Sequence, residues 1–109
     1  MGAGLGLVGL AARALGARRV FLTDVALALP WLERNVDLNR RGGTCEVLEL
    51  DWYSPEECSL PTKSVDLVCA SDCVLWPELF EPLCDTLDHV MGDDTVALLS
   101  VVHRCDQVR

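Results

Sequence analysis

An α/β fold built on a parallel sheet is the class this sequence predicts, and three observations carry it. Short apolar runs of strand-forming residues alternate with stretches of helical periodicity. A glycine-rich segment sits just ahead of the first helical stretch. Three successive apolar runs end on polar groups, at Asp24, at Asp51-Trp52 and at Ser71-Asp72. Strands separated by helices need crossover connections, so they run parallel with helices on the faces of the sheet.

The elements follow in order. Leu7, Leu10, Ala11, Ala14 and Leu15 recur at helical spacing until Gly16, which predicts an amphipathic helix. Val20 to Thr23 is a short β run ending at Asp24. Pro30 marks the start of a second helix carrying Leu29, Leu32 and Val36, which gives way at Arg40-Arg41-Gly42-Gly43. Cys45 to Leu50 alternates as a strand does, and residues 53–63 hold the Ser, Pro and Thr of a surface loop. Val65 to Ala70 is the next strand. A stripe of Leu79, Leu83, Leu87, Val90 and Met91 then predicts a helix confined to the C-terminal side of Pro77 and Pro82, with Gly92 as its C-cap. Thr95 to Val102 reads as a long buried strand.

The whole of residues 1–109 is expected to form a single domain of globular composition, half apolar and a quarter charged. No apolar run approaches the roughly eighteen residues of a membrane span, so no membrane partner is expected. Nine basic residues face seventeen acidic ones, a formal charge of −8. Only Arg13, Arg18 and Arg19 and Arg34, Arg40 and Arg41 come near to clustering. Nucleic-acid binding needs a basic stripe and is not expected, whereas an acidic surface suits a cationic protein segment. Six cysteines without a CxxC pair, and His89 and His103 standing apart, give no metal-ligand spacing. The opening Met-Gly-Ala-Gly has neither the charged region nor the cleavage site of a signal peptide. Reduced thiols and a cytoplasmic monomer are therefore expected, with the nucleus as a second compartment.

Chemistry first shows in Gly2-Ala3-Gly4-Leu5-Gly6-Leu7-Val8-Gly9, where glycines at 4, 6 and 9 satisfy GxGxxG and Asp24 follows about twenty residues on. Glycine permits a tight turn with positive φ and lets a ligand approach the backbone, while the helix behind it offers free N–H groups. Asp24 at the end of the next strand is placed to accept both ribose hydroxyls, or else to cap a helix. Asp51 accepts from an adenine amino group or caps a turn; Trp52 stacks on the ring or anchors a loop. Ligands of open α/β sheets bind beyond the carboxyl ends of the strands, so the three polar ends together favour an adenosine-bearing ligand.

The runs GAGLGLVGLAARALGARRVFLTD, LPWLERNVDLN, LELDW and ASDCVLWPELFEPLCDTL resemble the class I, seven-β-strand methyltransferases. More narrowly, they resemble the family 16 protein-lysine methyltransferases, which include enzymes acting on chaperones and elongation factors. The resemblance covers nearly the whole chain and implies a Rossmann-like sheet and S-adenosylmethionine as cofactor. Gly2, Ala3 and Gly4 match the loop beside the methionine portion, and Gly6 of the glycine motif is counted with them as cofactor-binding. Asp24 matches the ribose residue, Trp52 the residue beside the adenine, and Ser71 the small residue ahead of the family's Asp-x-x-Tyr motif, which also lines the cofactor. Asp72 matches the aspartate of that motif and would orient the lysine amine. A sulfonium is already activated, so transfer needs an uncharged amine at near-attack distance, and desolvation lowers a lysine pKa toward that state.

Two departures are visible. Position 75 is leucine where the motif has tyrosine, with Trp76 next to it. Gly2 corresponds to the end of the family's first, central strand, which together with the C-terminal strands is expected to be missing; the chain reads as a fragment, expected to bind cofactor weakly, if at all. Asn35 and Asn39 match a family pattern or form a solvated face with a C-cap, and His103-Arg104 reads as a surface pair. Two other functions remain open. A dinucleotide-binding oxidoreductase would use the same glycines and Asp24, and a non-catalytic binding module would use the same fold.

Overall fold

A computed structural model describes residues 1–39, 44–73 and 76–102. The helix stop at Arg40 to Gly43, Val74 and Leu75, and His103, Arg104 and Cys105 lie outside the described residues.

The chain folds as α/β, with every described strand pair parallel. Helix α1 spans Leu7–Ala14, strand β1 Arg19–Asp24, helix α2 Leu29–Leu38 and strand β2 Thr44–Glu49. Strand β3 spans Leu67–Ser71, helix α3 Phe80–Val90 and strand β4 Val96–Ser100. Short 3₁₀ turns at Ala26–Ala28, Pro55–Glu57 and Pro77–Leu79 enter α2, break the long loop and enter α3.

Among the described residues the expected single sheet is two separate pairs, β1 with β2 and β3 with β4. Backbone alternation explains where the seam lies. The even-numbered residues of β1 bond toward β2, as Arg18 and Asp24 do in accepting from Thr44 and Leu50. Its odd-numbered residues therefore face the other way. In β3 the even residues bond toward β4, through Asp66 to Val96 and Asp72 to Ser100, and the odd ones face away. These two edges are bridged at their carboxyl ends by the first residues of the chain. The Met1 nitrogen donates to the Cys69 carbonyl at 2.9 Å, and the Ala3 N–H to the Thr23 carbonyl at 2.8 Å.

Each pair has its own core. Val20 and Leu22 of β1 pack with Leu32 and Val36 of α2, and Leu10 of α1 closes over them. Gly9 brings α1 close, since a Cβ there would meet Leu22 at 2.6 Å. In the second pair, Ala70 and Cys73 pack against Leu83 of α3, with Trp52 and Leu87 alongside.

Three local expectations are corrected. Helix α3 begins two residues before Pro82, because an N–H missing from the first turn of a helix costs no internal hydrogen bond. Gly92 is not a left-handed cap. The helix ends at Val90 with Met91 extended, and Gly92 is required because a Cβ there would lie 2.2 Å from the Lys63 carbonyl oxygen. Strand β4 is not buried: Val96 and Leu98 remain more than half exposed, since β3 is its one strand partner among the described residues.

Candidate active site

The glycine turn is shaped by its own backbone. Gly2 and Gly4 both have φ +57° and Gly6 has φ +95°, a left-handed region that side chains disfavour. The three differ in use. A Cβ on Gly2 would meet the Cys73 sulfur at 2.6 Å, so this position exists for close packing. A Cβ on Gly4 would meet nothing within 4 Å, leaving its backbone open to a ligand. Gly6 is buried against Leu32 and Leu22 and turns the chain into α1.

Asp24 ties this turn to the end of β1. Its Oδ2 accepts from the Gly4 N–H at 2.8 Å and its Oδ1 from the Val25 N–H at 2.7 Å. A carboxylate has about four lone-pair positions, so both oxygens keep acceptor capacity. From the far side, the Asn35 amide of α2 donates to the Leu5 carbonyl at 2.8 Å, and Asn39 donates to the Asn35 carbonyl. Asn35 thus braces the glycine turn, more than a solvated face would do.

After β2 the chain turns sharply at Asp51. Its Oδ1 accepts from the Tyr53 N–H at 2.9 Å, and its carbonyl from the Ser54 N–H at 3.0 Å. This is the turn-capping role weighed for Asp51, a short polar side chain closing on the backbone two residues on. The turn sets the half-buried Trp52 ring beside Gly2, whose Cβ position lies 3.6 Å from it. After β3, Asp72 adopts φ +57°, uncommon outside glycine, while its N–H donates to the Ser100 carbonyl.

These ends converge. Gly2, Asp24, Asp51, Trp52 and Asp72 line one cleft of about 270 Å³, together with Val25, Leu50, Tyr53, Cys73 and Leu79. Ala3, Gly4 and Ser71 line instead a larger, mostly apolar cavity of about 740 Å³ between β1 and β3, which Gly2 also borders. Gly6 lines neither. We place the candidate site in the smaller cleft because the carboxylates and the aromatic ring of three strand ends meet there. Sequence reasoning missed the role of Cys73, which is 5 % exposed and packs between Gly2 and the second core. Its thiol is pushed up in pKa, chiefly by burial and further by the Asp24 and Asp72 carboxylates, with the Met1 amino group opposing. Nothing in a lone cysteine run would have revealed that.

The cleft suits a cationic adenosyl ligand. It offers carboxylate acceptors, a ring to stack on and glycine backbone that permits close approach. Among the described residues no cluster of three or more His, Cys, Asp or Glu is placed to hold a metal ion, and no helix is long and apolar enough to cross a membrane.

Comparison with known proteins adds the family. A family model described as lysine methyltransferase matches residues 1–108. Protein N-lysine methyltransferase METTL21A of Danio rerio is 42% identical over 104 residues, covering 92% of this chain and 46% of that protein. Protein-lysine N-methyltransferase EFM6 of Saccharomyces cerevisiae is 35% identical over 100 residues, covering 80% of this chain and 41% of its own length. Protein-lysine methyltransferase METTL21E of Mus musculus is 33% identical over 113 residues, covering 98% of this chain and 46% of that protein. The chain spans less than half the length of these relatives.

Proposed function

This chain belongs to the lysine methyltransferase family, and on that footing we propose that its cleft holds S-adenosylmethionine and directs methyl transfer to a lysine of a protein substrate. The observation that carries the reading is the convergence of Asp24, Trp52 and Asp72 on one cleft beside the glycine turn. The family match sets aside the dinucleotide oxidoreductase.

When bound, the cofactor supplies an activated methyl group on a sulfonium. Everything else falls to the chain. Asp24, fixed by the Gly4 and Val25 N–H groups, accepts from the ribose hydroxyls. Trp52 would cover one face of the adenine, and the open backbone at Gly4 would leave room for the amino-acid portion. Asp51 keeps the Trp52 turn closed and presents its remaining acceptor capacity to the adenine edge. Asp72, held in a left-handed backbone, orients the lysine amine, which reacts once uncharged; desolvation against Leu50, Cys73 and Leu79 favours that form, while the carboxylates of the cleft oppose it. We place the acceptor among protein lysines presented on cationic segments, since the chain carries a net charge of −8.

Calorimetric titration with S-adenosylhomocysteine tests the cofactor half, with NAD as the contrast. Saturable binding of the first and none of the second is expected; the reverse would overturn the reading. Transfer of labelled methyl from S-adenosylmethionine to lysine in lysate proteins tests the catalytic half. Binding without transferred label would reduce the chain to a cofactor-binding module.

A further inference from the structure

Two polar side chains are buried among the described residues, and they differ in a telling way. Thr23 of β1 has no hydrogen-bond partner for its hydroxyl among those residues. Thr86 of α3, fully buried at 0 % exposure, donates across the molecule to the Trp52 carbonyl at 3.2 Å. A threonine hydroxyl inside a helix ordinarily satisfies itself on the carbonyl three or four residues back. Here it serves a residue 34 positions away instead.

The position of that carbonyl gives the bond its meaning. The Asp51 turn is closed on one side by the Asp51 carboxylate on the Tyr53 N–H and by the Asp51 carbonyl on the Ser54 N–H. Neither bond involves the Trp52 carbonyl. Thr86 takes it from the other side, so the peptide between Trp52 and Tyr53 is held from above and below. We propose that Thr86 is a positioning residue for the candidate site, setting the height of the Trp52 ring over Gly2 and so the width of the cleft. It touches no ligand and acts only through Trp52. This inference rests on the cofactor reading for its functional half and on geometry alone for its structural half.

The test is arranged to separate the two. In a chain whose other two tryptophans are replaced, Trp31→Phe and Trp76→Phe, the emission and acrylamide quenching of Trp52 report its burial directly. Thr86→Val removes the hydroxyl and keeps the branched shape; Thr86→Ser restores the hydroxyl and drops the methyl. With Thr86→Val, a red-shifted emission, quenching raised by about twofold and S-adenosylhomocysteine affinity weakened by about fivefold are expected, the last being the worth of one neutral hydrogen bond. Thr86→Ser is expected to behave as the parent in all three. Unchanged Trp52 quenching in Thr86→Val, or Thr86→Ser failing alongside it, overturns the proposal and leaves Thr86 a packing residue. If the parent binds no S-adenosylhomocysteine, the cofactor reading falls, while the quenching comparison still decides whether Thr86 places the ring.

Discussion

Asp24 shows how one side chain serves both fold and site. Its two oxygens hold the Gly4 and Val25 N–H groups and face the cleft from the end of β1. Asp24→Ala should therefore release the Gly4 and Val25 N–H groups to water, lowering unfolding free energy by about 1 kcal/mol. It should also weaken S-adenosylhomocysteine binding more than tenfold. Urea unfolding and calorimetry read the two losses separately. Cys73 carries the alkaline side of the pH dependence, above the range in which the Met1 amino group, its pKa lowered by burial, titrates. Its folded pKa is raised, first by burial, so the native state keeps the proton to higher pH than the unfolded chain does. Its contribution to stability is complete below the ordinary value of 9.0 and is lost as pH rises through the raised folded value. Stability measured from pH 8 upward should fall past about 9 in the parent, and Cys73→Ala should flatten that part of the curve. The exposed Cys84 should be alkylated well before Cys73.

Individual elements show what a sequence discloses and what it withholds. Periodicity located α1, β1, α2 and β2 to within a residue or two, because their apolar faces meet neighbours close in the chain. The convergence of Asp24, Asp51, Trp52 and Asp72 was equally legible, since strand ends on one side of a parallel arrangement must point the same way. Gly92 was misread because its reason is a distant backbone, the Lys63 carbonyl, which no local pattern announces. Thr86 and Cys73 escaped for the same cause: Thr86 bonds Trp52 from 34 positions away, and Cys73, besides the nearby Ser71 carbonyl, meets Gly2 and Met1 from the far end of the chain. Strand β4 looked buried because composition does not say which side of an element finds a partner. Glycine substitution separates steric need from conformational need. Gly92→Ala would put a Cβ against immovable backbone and should cost about 3 kcal/mol or more. Gly16→Ala meets nothing within 4 Å but must hold φ +112°, so only about 1–2 kcal/mol is expected. Thermal or denaturant melts of the two variants make the comparison.

At the largest scale, the seam between β1 and β3 dominates the described residues. The amides of Phe21 and Leu67 lie on the two facing edges, whereas those of Leu22 and Val68 point into their own strand pairs. Native-state hydrogen exchange should show the first two exchanging far faster than the second two. With two cores and few bonds between them among the described residues, unfolding followed by Trp fluorescence and by far-UV dichroism should give midpoints that do not coincide.

The Met1–Ala3 bridge gives this arrangement a further meaning. It is a clasp closed by two backbone hydrogen bonds, and the cleft sits directly over it, with Asp24 on one leaf and Asp72 on the other. A small molecule that touches both leaves works as a rivet. Its binding energy is then spent partly on aligning the leaves and partly on keeping them from separating. Saturating adenosyl ligand should therefore draw the two melting steps together into one, beyond the simple upward shift that mass action gives any ligand.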